Sequence, residues 1–314
     1  MIATAADNHG ADERADEFGD LVESGYRPPK LLPRMREVWV HRELLRNLTR
    51  RELKVRHKNS VIGVFWNLLN PLLQLVVYSF VFTVVLSNST PRFPLKLLAG
   101  MVIFQLFAQG VTGATESVVS SAALVKKIWF PREILPMSAV ASNFVTFLSR
   151  LLILVIGLAV FRQEPEWSML WLLPIAVLIV MILATGLGML LAAINVLFRD
   201  VSHFLELIML ALFWGTPIVY QYDFMAKALV DRFGPEGEYL ALINPMVPVV
   251  ATFQRVLYNP TNFDAEVQAR FAYTLRPASW YLGHLALAGV VAVAFLYLGL
   301  RVFARLEGRF AERL

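Results

Sequence analysis

Residues that could catalyse a reaction are few in this sequence, and none forms a known catalytic pattern. The chain has no GxxxxGK[ST], GxGxxG, HExxH or Gly-x-Ser-x-Gly motif, so the common phosphate-binding loops and hydrolytic sites are absent from it. It has no cysteine, and its five histidines are scattered without metal-ligand spacing: His9, His41, His57, His203 and His284. We therefore expect no catalytic residue, no metal site and no cofactor on this chain.

Aromatic side chains are the richest chemical resource, with 22 Phe, nine Tyr and seven Trp. Aromatic belts at membrane interfaces explain most such residues in membrane proteins, but planar rings also suit stacking on the apolar CH faces of sugars. Candidates for lining a channel or substrate path are aromatic or polar residues on or near polar helix faces: Trp66, Asn70, Gln74, Tyr78, Phe104, Phe107, Trp214 and Tyr220. For each ring, a belt or packing role remains the alternative.

The composition predicts that these residues are carried by membrane-spanning helices. Hydrophobic residues make up 57 % of the chain and charged residues 17 %, whereas soluble domains average about 45–50 % and about 25 %. Apolar runs of about 20 residues can cross a membrane, and six are expected, over 61–86, 95–118, 135–161, 169–197, 204–219 and 280–303. The net charge of +5 lies beside these runs, so no nucleic-acid partner is indicated.

The remaining segments complete an all-α polytopic domain organisation. Residues 1–33 read as a disordered acidic tail and linker, and residues 34–59 as an amphipathic helix in the membrane interface, with a soluble helix on a partner as the alternative. The transmembrane domain covers 60–303, including a broken segment, 220–279, that predicts re-entrant or interfacial helices. Residues 304–314 form a tail.

Polar and small residues in the apolar runs predict helix contacts. In the first run, a polar stripe within about an 80° arc faces either other helices or an aqueous path; its residues are Ser60, Gly63, Asn67, Asn70, Gln74 and Tyr78. In the fourth, Ala184, Gly188 and Ala192 recur every four residues, which favours close helix packing. Glu116 and Arg150 are the notable ionisable residues, too few for an ion-coupled transporter. Arg150 either binds an anionic group or forms a structural pair.

The segment 117–134 lies between two apolar runs and combines cationic and aromatic residues. Its sequence predicts a short helix that stops at Pro131, with a second stop at Pro136, and that presents Lys126, Lys127, Trp129 and Phe130 to another protein. Lys and Arg cluster in this segment, before the first run and after the last. The positive-inside rule then predicts a multi-pass cell-membrane protein with both termini cytoplasmic.

Five ordered blocks resemble the membrane subunit of type-2 ABC exporters. They are Arg50–Leu73, Leu124–Pro136, Asn195–Phe204, Leu242–Met246 and the terminal RLEGRFAERL, and the resemblance covers about residues 40–314. The similarity points to the polysaccharide branch, which exports O-antigen, galactan, teichoic acid and related lipid-linked glycans.

The resemblance implies a homodimer with two copies of a separate ABC ATPase, which would bind ATP and Mg²⁺. It implies a coupling helix in 117–134, with Lys126, Lys127, Trp129, Phe130, Arg132 and Glu133 as ATPase-coupling residues. It also implies external gate helices around Asn244, Pro245 and Met246. The chain itself would not be an enzyme, and its other partners would be membrane lipid and the lipid-linked glycan.

Three alternatives remain open at this point. A type-2 exporter of small lipophilic drugs, haem or lipids would share the architecture. A membrane glycosyltransferase or flippase acting without ATP would need an external carboxylate site, whereas the acids of 220–279 are dispersed. A purely structural anchor does not account for the polar stripe in the first apolar run.

Overall fold

A computed structural model describes residue 37 and residues 39–57, 66–87, 90–128 and 130–314. These residues are helical or form turns, and no strand occurs among them. The all-helical class expected from the sequence is therefore confirmed. The tail expected at residues 1–33 lies outside the described residues.

The helices follow the chain in thirteen α-helical elements within the described residues. Their bounds are α1 Arg42–His57, α2 Trp66–Ser79, α3 Phe93–Ser120, α4 Ala122–Lys127, α5 Ile134–Val160, α6 Leu172–Leu197, α7 Val201–Trp214, α8 Tyr222–Phe233, α9 Gly237–Ala241, α10 Met246–Phe253, α11 Ala265–Ala269, α12 Ala278–Leu306 and α13 Phe310–Arg313. A π-helical segment, Phe80–Val85, continues α2, and a second one, Gln254–Tyr258, continues α10.

Four of the described helices, α3, α5, α6 and α12, are long and apolar enough to cross a membrane. They agree with four of the expected spans to within a few residues. The apolar helices Pro71–Val85 and Val201–Trp214 are shorter. At about 1.5 Å per residue, the 14 residues of α7 extend about 21 Å, less than the roughly 30 Å hydrocarbon core. The expected span 204–219 therefore ends early, at Trp214, and the count of six spans stays a prediction.

Helix α6 packs between α3 and α12. Its expected small-residue face packs on α3, where a Cβ added to Gly188 would lie 2.4 Å from the Cβ of Ala114. On α12, a Cβ added to Gly299 would lie 2.2 Å from the carbonyl oxygen of Gly186. Only glycine allows backbones to approach this closely. The predicted close packing at Ala184, Gly188 and Ala192 is confirmed, and Gly186 adds a second contact.

One hydrophobic cluster gathers the chain's basic segments at the same end of the bundle. It joins residues from α1, α4, α13 and the ends of α3, α5, α6 and α12, including Leu48, Val125, Phe130, Phe303 and Phe310. We call this the basic end. Helix α1 also contacts α5 there, because Ser142 Oγ donates a hydrogen bond to Glu52 Oε2 at 3.1 Å.

The start of α5 corrects one expectation from the sequence. Pro136 does not stop a helix but lies in the first turn of α5, which begins at Ile134. Proline is compatible with this turn because the first N–H groups of a helix have no intrahelical acceptor. The break in the chain comes earlier, where Ile128 adopts an extended conformation after α4.

Candidate functional site

An aromatic cluster forms where α2, α3 and α7 meet. The ring of Tyr78 stacks on Phe213 with centroids 5.9 Å apart, and Trp214 lies edge-on to Tyr78 at 6.4 Å. Phe104 contacts Phe213 edge-on at 5.6 Å. The structure thus brings together Tyr78, Phe104 and Trp214, three candidates that come from three separate segments of the sequence. These are offset or edge-to-face arrangements of the kind that aromatic pairs favour.

Two further candidates, Phe107 and Tyr220, belong to the same region. Phe107 lies 6.2 Å from Phe104 and is buried. The Tyr220 hydroxyl donates a hydrogen bond to the carbonyl oxygen of Trp214 at 2.9 Å. That hydrogen bond fixes the orientation of the chain just after α7. Tyr220 is therefore positioned next to Trp214 by a turn and not by a continuation of α7.

The polar candidates of α2 are partly described. Gln74 Oε1 accepts a hydrogen bond from Gln105 Nε2 at 3.2 Å, which pairs an amide of α2 with one of α3. At Gln74, the polar stripe of the first apolar run therefore faces another helix, which is one of the two alternatives that the sequence left open. Trp66 and Asn70 lie in α2, but their side chains are outside the described residues.

Phe213 is the member of the cluster that sequence reasoning missed. Its ring contacts Tyr78, Phe104 and Trp214, so it is the centre of the group. Phe213 lies next to Trp214 in an apolar run, and the residues three and four positions before it, Leu210 and Met209, are apolar. Adjacency to the candidate Trp214 was the signal available in the sequence.

Buried polar side chains hold the turn that follows α7. Lys96 Nζ donates a hydrogen bond to the carbonyl oxygen of Tyr220 at 2.9 Å, and Gln254 Nε2 donates to that of Ile218 at 3.2 Å. A Cβ on Gly100 would lie 2.7 Å from Gln254 Nε2, so the glycine leaves room for this amide. The turn bearing Tyr220 is therefore fixed to both α3 and the segment following α10.

The gate candidates Asn244, Pro245 and Met246 lie where α9 gives way to α10. Asn244 Nδ2 donates a hydrogen bond to Thr216 Oγ1 at 2.9 Å, and its Oδ1 accepts one from the Met246 backbone N–H at 3.0 Å. Met246 is buried and Pro245 is half-buried. Asn244 thus ties the first turn of α10 to the residues just after α7, which links the gate candidates to the helix that carries Phe213 and Trp214.

Helix α10 and its π-helical continuation cover most of the range Ala241–Leu257, for which a re-entrant or interfacial pair of helices is expected, and α9 ends where that range begins. The re-entrant or interfacial position of these helices stays a prediction. Together with its π-helical continuation, α10 runs to Tyr258, about 20 Å at 1.5 Å per residue, and every residue of it is buried. A helix this short does not span the hydrocarbon core. Its burial against α3, α6 and α12 allows non-spanning backbone at this place.

Asp223 holds α8 to the start of α12. Its carboxylate accepts hydrogen bonds from the backbone N–H groups of Tyr273 at 2.6 Å and Thr274 at 3.1 Å, and from the Thr274 hydroxyl. Burial raises the pKa of this carboxyl, although the three hydrogen bonds act in the opposite direction. The residue therefore serves to anchor the segment rather than to form an external catalytic pair.

The residues expected to contact a partner divide into exposed and buried groups. Lys126 and Lys127 are exposed at the end of α4, and the following Ile128 is 58 % exposed. Phe130 is only 7 % exposed and packs in the basic-end cluster with Val125 and Phe310. The expectation that Phe130 is presented on the surface is wrong, because its apolar ring is covered by the chain's own helices. Trp129 lies outside the described residues.

The side chains of Arg132 and Glu133 are also directed toward the rest of the chain rather than toward solvent. Arg132 Nη1 donates a hydrogen bond to the carbonyl oxygen of Glu307 at 2.5 Å, and its guanidinium lies 5.9 Å from the centre of the Phe310 ring. Glu133 is 3 % exposed at the start of α5. The link after α4 is therefore attached to the C-terminal segment, a contact that no sequence pattern indicated.

The two ionisable residues within the long helices have different surroundings. Arg150 is 5 % exposed, and its Nη2 donates a hydrogen bond to Gln109 Oε1 at 2.9 Å, which favours the structural-pair option. Glu116 is exposed in a polar cavity of about 390 Å³ at the basic end, beside Arg51 and Glu52. Among the described residues, no three His, Asp or Glu side chains are grouped as metal ligands.

Residues 43–258 match a family model described as ABC-2 type transporter. The chain belongs to the ABC-2 type transporter family. The match includes nearly all of α1, the aromatic cluster, the segment around α4 and the gate candidates, so every candidate region lies within it. As a member of this family with several long apolar helices, the chain is a multi-pass membrane protein.

Curated relatives narrow the comparison within the ABC-2 family. The chain is 36 % identical over 233 residues to the O-antigen export system permease protein RfbA of Myxococcus xanthus, which covers 74 % of this chain and 86 % of the relative. It is 29 % identical over 271 residues to the protein of the same name from Klebsiella pneumoniae, covering 86 % and 94 %. A second Klebsiella pneumoniae relative of that name is 28 % identical over the same length.

Proposed function

We propose that this ABC-2 protein is the permease subunit of an ATP-driven exporter of lipid-linked polysaccharide. Its substrate class is a glycan of O-antigen, galactan or teichoic-acid type, carried from the cytoplasm to the outer side of the cell membrane. The observation that carries the proposal is the similarity to O-antigen export permeases along most of both chains. The aromatic cluster adds ring surfaces suited to sugars.

In the proposed arrangement, six helices cross the membrane and the basic end faces the cytoplasm, with both termini on that side. The support is the concentration of Lys and Arg in α1, α4 and the C-terminal segment, which pack together. Helix α2 with its π-helical continuation, and α7 with the turn after it, would be the two shorter crossings. Helices α9 and α10 would enter from the outer side and return to it as gate helices.

The exposed part of α4 is the proposed contact with a separate ABC ATPase, of which the homodimer would bind two copies. Lys126, Lys127 and Ile128 offer two charges and an apolar side chain on the outer surface of the basic end. Phe130 and Arg132 would not contact the ATPase directly. They would attach this surface to α5, α12 and the C-terminal segment. ATP and Mg²⁺ would bind to the ATPase.

The proposed assembly is a homodimer that meets along α2 and α7. In the single chain, both helices expose large apolar side chains, and Leu205 is the only buried residue of α7. The most exposed include Val76, Phe80, Phe204, Leu207 and Leu210. Because Tyr78, Phe213 and Trp214 sit between these faces, the glycan path at the dimer interface would be bordered by the aromatic cluster.

Deletion of the gene in its source cells tests the proposed substrate. We expect surface polysaccharide to disappear and lipid-linked polysaccharide to accumulate on the cytoplasmic side, both restored by the wild-type chain. The measurement is surface labelling of polysaccharide in intact cells compared with lysed cells. Unchanged surface polysaccharide together with altered efflux of lipophilic compounds would instead support the alternative, a type-2 exporter of small drugs or lipids.

The purified chain alone is expected to hydrolyse no ATP. The sequence has no phosphate-binding loop, so hydrolysis requires the partner subunit. Phosphate release is measured for the permease alone, for the ATPase alone and for the reconstituted complex. Hydrolysis by the permease alone that exceeds the background of a mock purification would contradict the assignment of ATP to a separate chain.

Replacing Trp214 by alanine is expected to slow glycan export. Loss of one stacking ring removes about 1 kcal/mol of aromatic contact, which corresponds to about a five-fold effect if the ring acts on the moving sugar. The measurement is the rate at which surface polysaccharide reappears after induction of the variant. Trp167→Ala is the matched control, because Trp167 is 70 % exposed and lies outside the cluster. Equal rates for both variants would remove the cluster from the export path.

A further inference from the structure

An apolar slot opens at the basic end between α1, α5, α6 and α12. Its volume is about 370 Å³, within the range of small-molecule sites. No residue of α2 or α7 contributes to it, so it is separate from the aromatic cluster and from the proposed dimer faces.

The walls of the slot are hydrocarbon and sulfur. Met181, Ile182 and Met189 come from α6, and Leu296 and Leu300 come from α12. The two methionines are eight residues apart, which extends this wall by about 12 Å from the basic end toward the middle of the bundle. Methionine side chains adapt easily to a flexible apolar ligand.

Thr185 is the one polar residue that α6 and α12 contribute to the slot, and its hydroxyl already has a hydrogen-bond partner. Thr185 Oγ1 donates a hydrogen bond to the carbonyl oxygen of Met181 at 2.7 Å, so its methyl group is left to contact the slot. Water would find no set of polar partners here. An empty apolar slot would forfeit dispersion contacts along both walls. Hydrocarbon is the occupant that matches this lining.

The mouth of the slot has the chemistry of a membrane interface. Trp39 is 72 % exposed at the rim, as suits an aromatic ring at headgroup level, and Arg42 lies one turn further along the same helical region. Glu133, the acidic residue before α5, also lines the slot but is 3 % exposed, so it lies below this surface. The exposed face of α1 adds further cationic residues: Arg46, Arg50, Arg51 and Lys54. This concentration of positive charge favours an anionic headgroup.

We propose that the slot binds one acyl chain of an anionic phospholipid, whose phosphate contacts Arg42. The volume admits a single chain rather than a whole two-chain lipid, so the second chain would remain in the bilayer. Such a lipid would join α1 to the transmembrane helices by filling the space between them. The inference rests on the slot and its charged mouth, and it holds whichever molecule the permease exports.

Native mass spectrometry of the detergent-purified chain tests the proposal. The probes are phosphatidylglycerol and phosphatidylcholine with identical acyl chains. We expect one phosphatidylglycerol per chain to be retained, with about five-fold preference over phosphatidylcholine, as one surface arginine would confer. Arg42→Gln should remove this preference. Thr185→Phe, which fills the slot, should reduce retention of both lipids by about ten-fold or more, because the chain then loses its buried methylenes.

Matched controls separate this site from general attraction to the membrane. Arg50→Gln changes an exposed arginine of α1 that does not line the slot, and Val293→Phe enlarges an exposed residue of α12 outside it. Both should retain the lipid as the wild type does. Undiminished retention in Thr185→Phe would overturn the proposal, as would equal loss of headgroup preference in Arg42→Gln and Arg50→Gln. Preferential retention of added polyprenyl phosphate over phosphatidylglycerol would assign the slot to the glycan carrier instead.

Discussion

Phe130→Ala is expected to abolish export and to lower the stability of the permease at the same time. The ring is 7 % exposed and belongs to the hydrophobic cluster that includes Leu48, Val125, Phe303 and Phe310, so its removal leaves a cavity where α1, α4 and the C-terminal segment meet. Truncation of a buried phenylalanine costs about 3–5 kcal/mol. The measurements are the thermal unfolding midpoint of the purified protein and the amount of surface polysaccharide in cells.

The comparison variant for Phe130→Ala is the charge reversal Lys126→Glu with Lys127→Glu. Both lysines are exposed on α4, so this variant should keep the wild-type unfolding midpoint and lose ATPase binding and export. Exposed charge pairs contribute little to stability, whereas reversed charges at a docking surface repel the partner. Normal stability of Phe130→Ala would contradict its role in the cluster. Normal ATPase association of the lysine variant would remove α4 from the docking surface.

The substitution Gly299→Val is expected to disrupt the bundle itself. A Cβ at this position would lie 2.2 Å from the carbonyl oxygen of Gly186, so α6 and α12 must move apart along their contact. Because the obstacle is backbone and not a flexible side chain, we expect a cost of about 3 kcal/mol or more. The measurement is the yield of monodisperse protein in detergent and its unfolding midpoint.

Gly283→Val is the matched control on the same helix. Outside the local helix backbone, no atom lies within 4 Å of a Cβ added to Gly283, so the same change of side chain occurs there without a clash against another helix. It should leave yield and unfolding midpoint close to those of the wild type. If Gly299→Val also behaved like the wild type, the close contact between α6 and α12 would be refuted.

The positions of the long helices followed from hydropathy alone. Apolar runs of the right length are required by the bilayer, so α3, α5, α6 and α12 could be placed to within a few residues. The C-terminal end of the shorter α7 could not be placed in this way, because the apolar residues continue past the point where the helix ends. Here the turn after Trp214 is held by Lys96 and Gln254, residues 118 and 40 positions away in sequence.

For the candidate sites, the sequence determined the inventory of residues and the tertiary structure decided their roles. Spacing of small residues predicted the Ala184–Gly188–Ala192 face, because periodicity is local to one helix. Phe130 looked like a surface residue because its neighbours are cationic, yet it is buried in one cluster with Phe303 and Phe310, which come more than 170 residues later. In the same way, Tyr78, Phe104 and Phe213 form one cluster only when three helices pack together, and burial of this kind depends on contacts distant in sequence.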